Sequence, residues 1–149
     1  MPFRQKKILT AGTTAPEIKG LQADGPVLVV FFKITCPVCQ LTLPYLNRVH
    51  RAGTLPVYGI SQNDDAGTRE FNQEFGIEFL VLLDSEDDDF PASNAYGISS
   101  VPSMFLIEPD GKIGRVIEGW NRKEMEWLGA RTAATVIRQG DNVPEWKAG

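Results

Sequence analysis

An apolar run that ends in a closely spaced cysteine pair constrains this chain more than any other feature. Pro26-Val27-Leu28-Val29-Val30-Phe31-Phe32 is apolar at consecutive positions and rich in β-branched and aromatic residues. That is the pattern of a strand covered on both faces, as in the middle of a parallel sheet. A short run opened by proline does not suit a buried helix. Lys33-Ile34-Thr35 then leads into Cys36-Pro37-Val38-Cys39, which holds both cysteines of the protein. Val38, Leu41, Leu43, Leu46 and Val49 follow at near-helical spacing to about Ala52, and Gly53 ends the run. Pro37 suits a first helical turn, where its missing N–H would have been unpaired anyway. Pro44 falls inside the helix, removes one hydrogen bond and is expected to kink it.

The remaining pattern extends this strand–helix unit. Leu55–Ser61 reads as a second parallel strand, giving a β-α-β step. Asn63 or Asp64 can cap a helix from about Ala66 to Phe75, stopped by Gly76, and Phe79–Leu83 reads as a third strand. A short helix is expected around Pro91–Tyr96, ended by Gly97. Ser103–Glu108 and Lys112–Glu118 flank Pro109-Asp110-Gly111, a strong hairpin signal. Asn121 caps a last helix predicted to run to about Ile137, with Met125, Leu128, Ala133 and Val136 inward. The pattern predicts one α/β domain over 1–149: short extended pieces at Lys7–Leu9 and Ile18–Leu21 within an N-terminal extension (1–25), and a loosely held tail (139–149) from which Trp146 packs back on the body.

Charge and cysteine usage remove several function classes. The 149 residues, 42% hydrophobic and 23% charged, suffice for a real core. A net charge of -4 leaves no basic surplus for phosphate contacts, so nucleic acid is not an expected partner. No window approaches the roughly 20 apolar residues of a membrane span. Met1–Leu9 is basic but lacks the apolar stretch of a signal peptide. The chain as given therefore reads as cytoplasmic, or as periplasmic or otherwise extracytoplasmic if its N-terminus has been trimmed. Two cysteines are too few for a disulfide scaffold. Structural zinc takes four ligands, and His50 is the only histidine, so neither metal nor other cofactor is expected. A reversible dithiol at a strand end and helix start is the reading left standing. The acidic cluster Asp84–Asp89 lacks calcium-loop spacing and reads as solvated charge. His50 reads as a packing residue. Phe32, Trp120 and Trp127 read as core or rim aromatics, with Trp120 placed to border a substrate groove.

The C-x-x-C after the first core strand, Val101-Pro102 before a hairpin strand and a closing helix together resemble the thioredoxin fold. The similarity is closer to the thioredoxin-like redoxin branch, which includes TlpA/ResA-type proteins and adjoins the peroxiredoxins. Gly12-Thr13-Thr14-Ala15-Pro16-Glu17-Ile18 is similar to that branch's opening motif, Tyr58–Ser61 to its second core strand, and Tyr96–Ile107 to its cis-proline segment. The resemblance covers about residues 12–137. It implies a three-layer sandwich with a mixed central sheet and a redoxin-type helix–strand insertion at about 66–83. It also implies a cis Val101–Pro102 bond, catalytic Cys36 and Cys39, and substrate contacts from Thr35, Pro37, Val38, Val101 and Pro102. The sequence departs from the family where relatives keep acids: thioredoxin's buried acid corresponds to Val30, its tryptophan before the first cysteine to Thr35, and the ResA-type acid to Thr42.

These features lead to a thiol-disulfide oxidoreductase acting on protein disulfides or dithiols, served by an unidentified thiol reductant or oxidant, and a monomer is expected. Helical N–H groups at Cys36 would favour its thiolate. Lys33 could add to this, although a solvated strand-end lysine is the simpler reading. Two other functions stay in view. A thiol peroxidase would need a hydroxyl three residues before its cysteine, where this chain has Lys33. A redox-regulated binding or sensor module would use the same cysteine pair without turnover.

Overall fold

The computed structural model describes residues 7–149; the basic start up to Lys6 lies outside them. Five strands form one mixed sheet: β1 (Val27–Phe32), β2 (Val57–Ser61), β3 (Leu80–Leu83), β4 (Ser103–Ile107) and β5 (Ile113–Glu118), in spatial order β3-β2-β1-β4-β5. The first three are parallel, whereas β4 runs antiparallel to β1 and β5 antiparallel to β4. Every residue of β1 is buried, as its unbroken apolar run requires of a central strand.

Alternation along β1 shows what covers each face. Phe31 packs against Tyr96 of α3 (Pro91–Tyr96) and edge-on against Phe105. Its neighbour Phe32 points the other way, to Phe71 of α2 (Asp65–Phe75). α2 touches α1 (Pro37–Arg51), which in turn touches α4 (Arg122–Thr132). Helices therefore lie on both sides of the sheet, in the three layers expected. The helix–strand insertion is α2 and β3. Asp64 caps α2 by accepting the Gly67 N–H at 2.8 Å, and Asn121 caps α4 through the Glu124 N–H at 3.2 Å. His50 has a packing role: its Nδ1 accepts the Val57 N–H.

Several expectations need correction. The described part of the segment before β1 lies against the body without forming the short extended pieces expected of it. Its Ile18 is buried, Gly12 and Ile113 pair through the backbone, and the Tyr96 hydroxyl donates to the Pro16 carbonyl at 2.6 Å. It forms no strand at 7–9 or 18–21, only an isolated bridge from Thr14 to Lys112. α4 stops at Thr132 rather than near Ile137, with Ala133 in the left-handed region at φ 54°. The chain then folds back over Gly129, where an added Cβ would lie 2.7 Å from the Ala134 carbonyl oxygen. Val136 still reaches the core, but from a loop, while Ala133 faces solvent. The tail is held too. β7 (Trp146–Lys147) pairs antiparallel with β6 (Trp120–Asn121), Arg48 bonds Asp141 at 2.6 Å, and Trp146 stays 61% exposed rather than packing back.

The acidic cluster is not uniformly solvated. Asp84 is buried, and its carboxylate accepts the N–H groups of Ala92 and Ser93, both at 2.8 Å, and the Ser93 hydroxyl. α3 begins at Pro91 without a side-chain cap from its own preceding residue, so Asp84 supplies that cap from the end of β3. An Asp84→Ala chain leaves those N–H groups without acceptors and is expected to lose about 3 kcal/mol of stability in urea unfolding. Asp84→Asn, which retains one acceptor oxygen, should lose less.

Candidate active site

Cys36 is the residue that caps α1. It takes the extended conformation of a capping residue (φ -85°, ψ 115°), and its Sγ accepts the Cys39 N–H at 3.2 Å. That is the position of a Ser or Asp oxygen in an ordinary cap. Pro37 starts the helix and presents no competing N–H. Burial separates the two sulfurs: Cys36 is half-buried, whereas Cys39 is fully buried in the first turn.

Two amide side chains fix the approach to Cys36. Asn63 Oδ1 accepts the Ile34 N–H at 2.9 Å, and Gln40 Nε2 donates to the Ile34 carbonyl at 3.0 Å. The loop between β1 and α1 is thereby held at both polar atoms of one residue. Neither amide stood out in the sequence: Asn63 reads there as an alternative helix cap, and Gln40 carries no signal of its own.

From the opposite side of the sheet's end comes the segment after α3. Gly97 turns it at φ 73°, and the Val101–Pro102 peptide bond is cis. The Val101 carbonyl oxygen lies 3.4 Å from Cys36 Sγ and accepts its thiol hydrogen. Residues 65 positions apart thus meet at one sulfur. Thr35 and Pro37 are exposed beside it, Val38 is half-buried, and Val101 and Pro102 are mostly or wholly covered. The expected site residues are brought together at the C-terminal end of β1. Lys33 is exposed and lines a cleft of about 210 Å3 with Gln62, Ser93, Ser100 and Val101.

Electrostatics single out the buried cysteine. Burial pushes the Cys39 thiol well above its ordinary range, and hydrogen bonding with Cys36 adds to this. The Lys33 backbone and charge oppose the rise. No carboxylate stands near to take its proton from the positions where relatives keep one. Val30 is an apolar core residue, and buried Thr42 turns its hydroxyl to the Val38 carbonyl at 2.7 Å. Among the described residues no group of His, Cys, Asp and Glu could hold a metal, and no helix is long and apolar enough to cross a membrane.

Of the aromatics, Trp120 is fully buried, so its ring forms no wall of an open groove. It packs on Tyr45, and its Nε1 donates to the Pro144 carbonyl. Trp127 lies under the Arg115 guanidinium, 3.8 Å from the ring centroid.

Residues 9–116 match the family model described as the AhpC/TSA family. The chain belongs to the AhpC/TSA family. The chain is also similar to proteins named thiol-disulfide oxidoreductase ResA. That of Geobacillus thermodenitrificans is 25% identical over 137 residues, covering 82% of this chain and 77% of the relative. That of Bacillus anthracis is 28% identical over 138 residues, covering 82% and 78%. The fold is shared with the thioredoxin domain of a thiol-disulfide oxidoreductase from Bacteroides vulgatus, at TM-score 0.69 and 22% identity, covering 85% of this chain and 99% of that one. A thiol:disulfide interchange protein from Bacteroides sp. gives TM-score 0.68 at 22% identity, covering 85% and 91%.

Proposed function

We propose that this chain exchanges electrons between thiols and protein disulfides, with Cys36 as nucleophile and Cys39 as resolving residue. The observation that carries the reading is the asymmetry of the pair. One sulfur is reachable at a helix start, between a backbone donor and the Val101 carbonyl, and the other is buried one turn along.

In the reducing direction, Cys36 must first lose its proton, since only a thiolate attacks a disulfide. The proton passes to water, which ends the bond to the Val101 carbonyl, and the Cys39 N–H remains as a donor to the sulfur. Cys36 sulfur bonds to one substrate sulfur, and the substrate S–S bond breaks. The departing sulfur leaves as a thiolate and takes a proton from water. Cys39 then loses its own proton and attacks Cys36 sulfur. The Cys36–Cys39 bond forms, the mixed disulfide breaks and the second substrate thiolate leaves. Two electrons pass to the substrate and the chain ends oxidised. A thiol reductant returns those electrons; with a dithiol substrate and an oxidant, the steps run in reverse.

The family description invites a peroxidase reading. A peroxide-reducing cysteine of the peroxiredoxin type has a hydroxyl residue three positions before it, and Lys33 occupies that position here. Two assays on the same preparation separate the readings. Insulin reduction with dithiothreitol should run well above the uncatalysed rate, while hydrogen peroxide with the same thiol donor should be consumed no faster than without protein. Peroxide turnover with no insulin reduction would reverse the assignment.

A further inference from the structure

The segment Trp146–Gly149 ends against the Val101–Pro102 backbone beside Cys36. Backbone contacts set its course: Arg122 N–H donates to the Glu145 carbonyl at 2.9 Å, and Trp120 and Asn121 pair with Lys147 and Trp146. Beyond β7 the path can be followed by what a Cβ would meet at two glycines. At Gly119 it would lie 2.4 Å from the Lys147 carbonyl oxygen and 3.2 Å from the Gly149 nitrogen. At Gly149 it would lie 2.2 Å from the Val101 carbonyl oxygen and 3.2 Å from the Pro102 nitrogen. That carbonyl is the one 3.4 Å from Cys36 Sγ. The segment therefore passes from β6, over Gly119, to the backbone that lies beside Cys36.

We propose that Trp146–Gly149 is an intramolecular occupant of the substrate groove, displaced when an extended protein segment presents its disulfide to Cys36. The proposal rests on the thiol-disulfide reading above. Three features fit a displaceable strand. β7 is two residues long, and every residue of 145–149 is exposed, so little apolar surface ties it down. Contact with the Val101–Pro102 backbone is made by Gly149, which has no side chain, and Cys36 remains half-buried rather than buried. Gly119, at φ 71°, accepts the strand at a distance no side chain would permit. Being tethered, the segment competes at an effective concentration in the millimolar range, so a protein substrate meets a filled groove. A small disulfide without a backbone to pair with Val101 is not excluded by it. The groove thus selects an extended peptide with a small residue opposite Val101, as in the segment it already holds.

The test compares the full chain, a chain lacking Trp146–Gly149 and the full-length Gly149→Val chain, in which the added side chain collides with Val101. Each is assayed on insulin and on bis(2-hydroxyethyl) disulfide. Both variants are expected to show at least a fivefold lower KM for insulin, with the small-disulfide rate within twofold of the full chain. Unchanged or higher KM for insulin in the variants, with small-disulfide turnover intact, overturns the proposal and leaves the oxidoreductase reading standing. Failure of all three chains on both substrates overturns that reading and the proposal with it. Should truncation disturb the packing around Trp120, the Gly149→Val chain, which retains every tail hydrogen bond up to Lys147, carries the comparison alone.

Discussion

A Cys36→Ser chain is expected to reduce insulin no faster than dithiothreitol alone, a loss on the order of 10³-fold or more. The hydroxyl can replace the sulfur as a cap, accepting the Cys39 N–H and donating to Val101. The fold should therefore survive, with a change in unfolding free energy under about 1 kcal/mol. It cannot replace the sulfur as a nucleophile, because a serine hydroxyl does not ionise at neutral pH and forms no disulfide. A Cys39→Ser chain should behave differently. It keeps the first step and loses the second, so substrate stays attached. Residual insulin reduction by the Cys36→Ser chain above a few per cent of wild type would mean that Cys39 acts on its own, which its complete burial opposes.

The second large effect is on pH. In the proposed cycle, release of substrate requires Cys39 as a thiolate. Burial, the leading cause of its raised pKa, persists after Cys36 has entered a mixed disulfide, although the hydrogen bond to the Cys36 thiol does not. Below that pKa the thiolate fraction rises tenfold per pH unit. Stopped-flow measurement of the resolution step should follow this slope from pH 6 to pH 9, and a plateau at or below pH 7 would contradict it. Stability carries the same signature with a defined sign. The folded Cys39 stays protonated to higher pH than the unfolded one, so its contribution is intact below the ordinary thiol value of 9.0 and is lost as pH rises beyond it. The reduced wild-type chain should lose about 1.4 kcal/mol per pH unit in that range relative to a Cys39→Ala chain.

What the sequence made legible follows from periodicity. β1 could be read because buried central strands are apolar at every position, and α1 because its apolar residues recur at helical spacing after a proline. The β4–β5 hairpin could be read from Asp110-Gly111, and the α2 and α4 starts from Asp64 and Asn121. The meeting of Cys36 and Val101 was reachable only through family resemblance, since nothing local to either residue encodes a contact 65 positions away. The misses share a cause. Asp84 belongs to a run of acids, and only the position of α3 makes it a buried cap. Ala133 and Val136 continue a helical spacing, but the chain leaves the helix at a non-glycine left-handed residue that no turn signal marks. The tail has the composition of a loose end, yet beyond the Arg48–Asp141 pair it docks largely through backbone groups, which every sequence carries equally. Asn63 and Gln40 likewise hold the Ile34 backbone in a way that no spacing rule announces.

The consequence for mechanism is a division of labour between surface and interior. Cys36 is set out at the helix start, where substrate sulfur can reach it, and the Val101 backbone lies alongside. Cys39 is protected by the core and held protonated by it, with no carboxylate at the places of Val30 and Thr42 to relieve it. In the proposed cycle, first attack and release are thereby controlled by different parts of the structure.

The most direct test of this division is to mix the Cys39→Ser chain with a disulfide-bonded protein substrate, quench with acid, digest without reduction and identify the adduct by mass spectrometry. The expected result is a mixed disulfide on Cys36 approaching one per chain, absent from the Cys36→Ser chain. A Cys39→Ser chain that turns over substrate at the wild-type rate, or that carries no adduct on Cys36, would contradict it.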